Sequence, residues 1–294
     1  MTHIFYHKSD NDGKASGAII KWALTDAILR PLEYGEEVPD LPIEDTIIFV
    51  DVVPSPYEKI DAIIKKYPNL TIVDHHKSFI DWLNQNYPLT KFAGLRRIGT
   101  AACMLAWEYF FPRKPAPLTV QLLGAYDVWD HSNEERWQDR IEPFQLGMKA
   151  IDTDPVTNWQ FWQDLFSLSL EAEAGRVHSI IESGFAIRKY QRQYDIDTMK
   201  NDAFEATFDG YKAICCNSDR NSNAFLSVWD EKKHDIMLAF EFDRNGQYRV
   251  GLYTTSKTLD VSQIAKKHGG GGHPQASGFQ ANKMELRDGV IVFS

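Results

Sequence analysis

The chain has 294 residues, 43% hydrophobic and 25% charged, ordinary proportions for a soluble protein and enough length for two domains with cores of their own. A net charge of −9 argues against a general binder of long nucleic acid, whose affinity is built from many Lys/Arg–phosphate contacts, and leaves room for a short phosphorylated ligand. No stretch reaches the roughly 20 apolar residues of a membrane helix, and Cys103, Cys215 and Cys216 show neither C-x-x-C spacing nor a disulfide framework. With no room for a signal segment before the first strand, a cytoplasmic protein without a membrane partner is expected.

Taken in chain order, the apolar run His3-Ile4-Phe5-Tyr6 leads into His7-Lys8-Ser9-Asp10-Asn11-Asp12-Gly13 and then a helical small-residue stretch. The same layout recurs where Ile47-Ile48-Phe49-Val50 meets Asp51, and where Leu70-Thr71-Ile72-Val73 ends in Asp74-His75-His76. Three strands alternating with helical patterns predict a parallel α/β sheet. Ligands bind at the carboxyl ends of such strands, where these acids and imidazoles all fall. Arg96 and Arg97 precede Gly99-Thr100 and a helical stretch from Ala101 to Phe111, and a Pro-rich loop covers Phe111 to Pro117. Asp127 follows the apolar segment Val120 to Tyr126, while Trp129 and Trp137 read as core-packing or loop-anchoring aromatics first and as base-stacking ones second.

Val177, Ile180, Ile181, Gly184 and Phe185 fall at helical spacing, predicting a long connecting helix from about Leu170 to Asp195. Beyond Phe204 come β-rich runs at Lys212 to Cys216, Ile236 to Phe242 and Tyr248 to Thr254, with Asn245-Gly246 as a hairpin turn. A short helix, Val261 to Lys267, then precedes Gly269-Gly270-Gly271-Gly272-His273. Residues without Cβ let backbone N–H groups turn toward an anion, and His273 adds a side-chain donor. The reading is thus of three segments: a catalytic metal-binding domain at 1–165, a helical linker at 166–203 and a substrate-binding domain at 204–294.

The ordered set His7 with Asp10 and Asp12, then Asp51, then Asp74-His75-His76, then Asp127, and finally G-G-G-G-H-P-Q-A-S-G from Gly269 to Gly278, resembles the DHH phosphoesterase superfamily. That superfamily includes nanoRNases, single-strand exonucleases and manganese-dependent pyrophosphatases. The resemblance covers most of the chain. It implies an α/β fold in which a parallel-sheet catalytic domain is joined by a helical linker to a smaller α/β substrate-binding domain. Two departures stand out. Two residues rather than three separate His7 from Asp10, and Tyr253-Thr254-Thr255-Ser256 replaces an Arg-Ser pair, so Ser256, Lys257, Arg96 and Arg97 become the candidates for the phosphate contacts of that arginine.

Converging carboxylates repel unless cations neutralise them. Two divalent ions are therefore expected, on His7, Asp10, Asp12, Asp51, His75 and Asp127. Manganese suits mixed imidazole and carboxylate ligation, with magnesium second. Roughly 3.5–4 Å apart, such ions activate a water and clamp a phosphoryl group; Asp12 or Asp127 is a candidate bridge. The resemblance implies that His76 faces the substrate phosphate, that Asp74 orients the imidazoles, and that Gly269 to Gly272 with His273 grip the substrate as a cleft closes. The expected activity is hydrolysis of short oligoribonucleotides, linear dinucleotides above all, to nucleoside 5′-monophosphates. The alternatives are a cyclic-dinucleotide phosphodiesterase, a 3′-phosphoadenosine 5′-phosphate phosphatase or, from a different class, a non-catalytic nucleotide sensor. A short RNA or dinucleotide is the expected partner, and a homodimer is compatible with the reading.

Overall fold

The apolar runs of the first third form a parallel sheet because their residues are buried on both faces, as covered parallel strands require. In the computed structural model, which describes all 294 residues, these strands are β1 (Thr2–His7), β2 (Ile28–Leu32), β3 (Thr46–Val50) and β4 (Leu70–Val73). They lie in the order β2-β1-β3-β4, all parallel. Alternate side chains feed two cores. Ile4, Tyr6, Ile48, Val50 and Val73 pack with helices Asn11–Ala23, Ala102–Phe110 and Leu118–Asp127. Phe5, Ile47, Phe49 and Ile72 pack with Ile60, Phe79 and Leu83 from helices Tyr57–Lys66 and Lys77–Asn86. The strand order reverses between β1 and β3, and a crevice forms at such a switch point, outside the strands' carboxyl ends.

The edge strand β2 is an addition to the sequence reading. Its Pro31 lacks a backbone donor, which an edge position tolerates.

By its contacts the chain divides into two compact units, Met1–Arg188 and Lys189–Ser294. The boundary falls inside the helix Leu170–Asp202, whose Val177, Ile180 and Ile181 are buried in the core of the first unit. No helix is long and apolar enough to cross a membrane.

The second unit is built on an eight-stranded mixed sheet. Its strands are β5 (Phe204–Phe208), β6 (Tyr211–Asn217), β7 (Ile236–Phe242), β8 (Tyr248–Tyr253), β9 (Gly271–His273), β10 (Ala276–Ala281), β11 (Met284–Arg287) and β12 (Val290–Phe293). Their order is β11-β12-β5-β6-β7-β8-β10-β9. One face packs Cys215, Leu238, Val250, Leu252 and Phe279 against Val261, Ile264 and Ala265 of helix Val261–Lys267. Part of the other face packs Ile214, Cys216, Met237 and Ala239 against Met199 and Phe225. All three cysteines are free and buried.

Candidate metal centre

The end of β1 and the start of helix Asn11–Ala23 are locked together by a missing side chain. A Cβ on Gly13 would lie 2.2 Å from the carbonyl oxygen of His7, so only glycine lets the helix begin this close to the strand. Asp10 is the N-cap of that helix and accepts the Gly13 N–H at 2.8 Å. Its other carboxylate oxygen lies 2.6 Å from His7 Nδ1. That approach lacks hydrogen-bond geometry, and His7 Nδ1 is a buried nitrogen without a hydrogen-bond partner.

Asp12, 3% exposed, is held by the opposite wall. Its two oxygens accept the Ala102 and Cys103 N–H groups, each at 2.8 Å, at the start of helix Ala102–Phe110. A carboxylate there satisfies helix-terminal donors and meets the positive end of the dipole. Burial nonetheless raises its pKa well above the usual carboxylate range, and the charges of Asp51 and Asp127 add to the shift.

Asp51 follows β3 in the left-handed region, φ 61°, which Asp tolerates better than most residues. Its Oδ2 lies 3.6 Å from His7 Nδ1, and its Oδ1 lies 3.3 Å from His75 Nε2. Oδ1 is buried without a hydrogen bond. His75 Nε2 is also 3.5 Å from Asp127 Oδ2 and 3.9 Å from Asp12 Oδ2. Asp127 is the last residue of helix Leu118–Asp127.

Three groups of potential ligands result, with donor atoms within 4.8 Å of one another in each: His7-Asp10-Asp51, Asp51-His75-His76 and Asp12-His75-Asp127. Asp51 and His75 each belong to two of them. The carboxylate shared between groups is thus Asp51, whereas the sequence reading offered Asp12 or Asp127 as the bridge.

The electrostatics fit a site for cations. Burial depresses the His7 imidazole, but Asp10 and Asp51 outweigh it and raise the pKa to about 11. His75 is likewise lifted against burial to about 9 by Asp51, Asp12 and Asp127. Asp127 rises to about 6, chiefly through burial. Burial alone would raise Asp51, yet the imidazoles of His7 and His75 close beside it pull it below the usual carboxylate value. Imidazole and carboxylate donors, two of them buried without a hydrogen bond, are a set that divalent cations satisfy.

His76 differs from His75. Both its backbone N–H and its Nδ1 are bonded to Asp74 Oδ1, at 2.8 and 2.9 Å, and this partnership raises its pKa. Asp74 is buried, so the imidazole is fixed from behind while Nε2 faces outward, 3.4 Å from the Tyr34 hydroxyl. Tyr34 and Glu33 were not singled out in the sequence. They follow β2, whose parallel register sets Leu32 beside His7. Glu33 reaches His7 Nε2 at 3.1 Å, and the Tyr34 ring centroid lies 5.3 Å from that of His7. β2 reads Ile-Leu-Arg-Pro-Leu and is half exposed, so no apolar run marked Glu33 and Tyr34 in the sequence.

The two arginines are engaged elsewhere. Arg96 donates to the carbonyl oxygens of Ile72, Phe92 and Ala93 at 2.7, 2.9 and 3.1 Å, bracing β4 behind the Asp-His-His triplet. Arg97 makes a two-pronged pair with Glu108 at 2.7 and 3.0 Å.

The glycine run belongs to the second unit. Gly269 and Gly272 have positive φ, 79° and 137°, and a Cβ on Gly270 would lie 2.1 Å from the Gly278 carbonyl oxygen. Gly271 to His273 form the edge strand β9, and His273 is exposed. Ser256 Oγ accepts the Leu259 N–H at 3.1 Å, and Lys257 is exposed. Within this unit an open cleft of about 780 Å³ includes Arg220, Arg249, Tyr253, Gly269, Gly270 and Gln280 in its lining. Ala239, Gly251 and Gly278 are cross-strand neighbours on β7, β8 and β10, and the Tyr253 side chain lies over Gly251, where a Cβ would come 2.8 Å from its hydroxyl.

No family model matches the chain. It is 23% identical over 241 residues to the uncharacterized protein R106 of Acanthamoeba polyphaga mimivirus, matching 76% of this chain and about half the length of that curated relative, 50%. Among solved structures it is similar to the pGpG-specific phosphodiesterase PggH of Vibrio cholerae, with a TM-score of 0.52 and 12% identity over 95% of this chain and 92% of that one. It also matches the exonuclease RecJ bound to manganese, at a TM-score of 0.40 and 14% identity over 95% of this chain and 85% of the other. The likeness to PggH establishes architecture alone: the chain shares the fold of that structure.

Proposed function

We propose that this chain of DHH-type fold is a metal-dependent phosphodiesterase that hydrolyses short oligoribonucleotides, linear dinucleotides above all, to nucleoside 5′-monophosphates. The observation that carries the reading is the sharing of Asp51 and His75 among ligand groups that converge on one strand-end crevice. A pGpG-specific phosphodiesterase of the same fold supports the substrate class.

In this reading His7, Asp10, Asp12, Asp51, His75 and Asp127 hold two divalent cations, manganese foremost. Such ions supply Lewis acidity toward a phosphoryl oxygen and acidify water. The protein's own groups do the rest. Asp74 holds the His76 Nδ1 proton and favours the charged imidazole, so Nε2 presents a proton to a phosphate oxygen where negative charge grows. Tyr34 limits the swing of that ring. In the cleft of the second unit Arg220 pairs with Asp195 and Arg249 with Glu241, so an anion there would compete with these carboxylates for the guanidinium donors.

The test is product analysis after incubating metal-stripped, manganese-reloaded protein with 5′-phosphorylated RNAs of increasing length, linear and cyclic dinucleotides, 3′-phosphoadenosine 5′-phosphate and pyrophosphate. Conversion of linear dinucleotides to mononucleotides, falling steeply with length, is expected. Preference for another of these substrates moves the activity to it, and no turnover of any of them excludes the phosphodiesterase.

A further inference from the structure

Helix Leu118–Asp127, which delivers Asp127 to the metal centre, ends in an arrangement that normally calls for glycine. The Asp130 N–H donates to the Ala125 carbonyl at 2.9 Å and the Trp129 N–H to the Tyr126 carbonyl at 3.1 Å. These are the paired bonds of a Schellman motif, whose pivot residue adopts a left-handed conformation and is most often glycine. Here the pivot is Trp129, with φ 56°. A large aromatic gains nothing from that backbone, since its Cβ crowds the carbonyl.

Nor does burial account for it. Trp129 is 64% exposed, whereas Trp137, which the sequence grouped with it as a packing residue, is 3% exposed. Trp137 is layered between Tyr126 and His131, with ring centroids at 5.4 and 3.9 Å. Trp129 leans on this stack by contact with Trp137 at 4.7 Å and His131 at 5.0 Å, and the rest of its surface is open. The loop behind it is pinned, because Asp130 accepts from the Ser132 N–H and hydroxyl at 3.1 and 2.5 Å. An exposed indole is therefore held firmly on an aromatic stack, two residues from Asp127. Two residues of chain span at most about 7 Å, so the backbone of Trp129 lies within that distance of the backbone of Asp127.

We infer that Trp129 is a stacking platform for a nucleobase flanking the scissile phosphate, and so a substrate-positioning residue. The inference rests on the phosphodiesterase reading and gives its substrate a second point of attachment, since an indole face recognises bases of any sequence. It also explains the residue's placement: rigidity and exposure together are what stacking needs, and the left-handed turn supplies both.

The experiment compares the full chain with W129G and W129Y, loaded with manganese, on a linear dinucleotide and on its abasic analogue. Glycine suits the backbone, so W129G should melt at the same or a higher temperature than the parent. Its KM for the dinucleotide should rise by roughly 5- to 150-fold, the range of one base–aromatic stack, with little change in kcat. W129Y should recover most of that loss, and the abasic analogue should be cleaved alike by parent and W129G. An unchanged KM in W129G overturns the inference. So does a lower melting temperature with full activity, which would make Trp129 a packing residue. Should the parent cleave neither compound, the phosphodiesterase reading fails by itself, and calorimetric binding of guanosine 5′-monophosphate then decides: weaker binding by W129G upholds the platform, and equal binding ends it.

Discussion

Asp51 and His75 face each other across 3.3 Å between the ends of β3 and β4, and each belongs to two of the potential ligand groups. The site is thus organised around a pair, of which His75 comes from the Asp-His-His triplet that marks the site in the sequence and Asp51 from the neighbouring strand. Asp74 and His76 serve each other instead.

Asp51→Asn keeps a side chain that tolerates the left-handed backbone but removes the shared charge. Manganese affinity, measured calorimetrically, should fall by at least about a hundredfold, with turnover falling in step. Unchanged affinity would take Asp51 out of the metal centre.

The metal-free site should respond to pH in a defined direction. His7 and His75 are raised from 6.5 to about 11 and about 9, so the stability they lend the metal-free fold is complete below 6.5 and is lost as pH rises through those values. Asp127, raised from 3.8 to about 6, adds a cost as pH climbs through that interval. Cations need these groups deprotonated, so their affinity changes oppositely. The gain in melting temperature on adding manganese should therefore be larger at about pH 8 than at about pH 6. A gain that is flat or shrinks across that range would show that these imidazoles are not ligands.

Arg96 and Arg97 should separate in a stability assay. Arg96→Met strips donors from the Ile72 and Phe92 carbonyls and should cost on the order of 2–3 kcal/mol in denaturant unfolding. Arg97→Ala breaks only a surface pair with Glu108 and should cost about 0–1 kcal/mol. A rise in KM without loss of stability in either variant would instead place that guanidinium on the substrate.

Neighbouring glycines of the run should behave unequally. Gly270→Ala drives a methyl against the Gly278 carbonyl and should cost on the order of 1–3 kcal/mol, with faster hydrogen exchange in β9 and β10. Gly271→Ala meets nothing within 4 Å and should leave exchange unchanged. Equal effects would mean that backbone entropy, not the close approach, sets the requirement.

What could be read from the sequence follows from burial. β1, β3 and β4 are covered on both faces and therefore spell continuous apolar runs, and the groups at their ends stand out against them. β2 is a half-exposed edge containing Arg30 and Pro31, so it carries no such signal, and Glu33 and Tyr34 were lost with it. The arginines before the helix invited a phosphate role because sequence shows a charge and not its partner; in Arg96 the partners are backbone carbonyls, which every sequence has. Trp129 and Trp137 are the same residue type eight positions apart, and only their exposure separates them.

Every side chain of the candidate metal centre, from His7 to Asp127, lies within the unit that ends at Arg188. Domains generally fold as units, the N-terminal one first during synthesis. The candidate centre thus takes no donor from the second unit, and the whole ligand set is present in the chain before that unit begins.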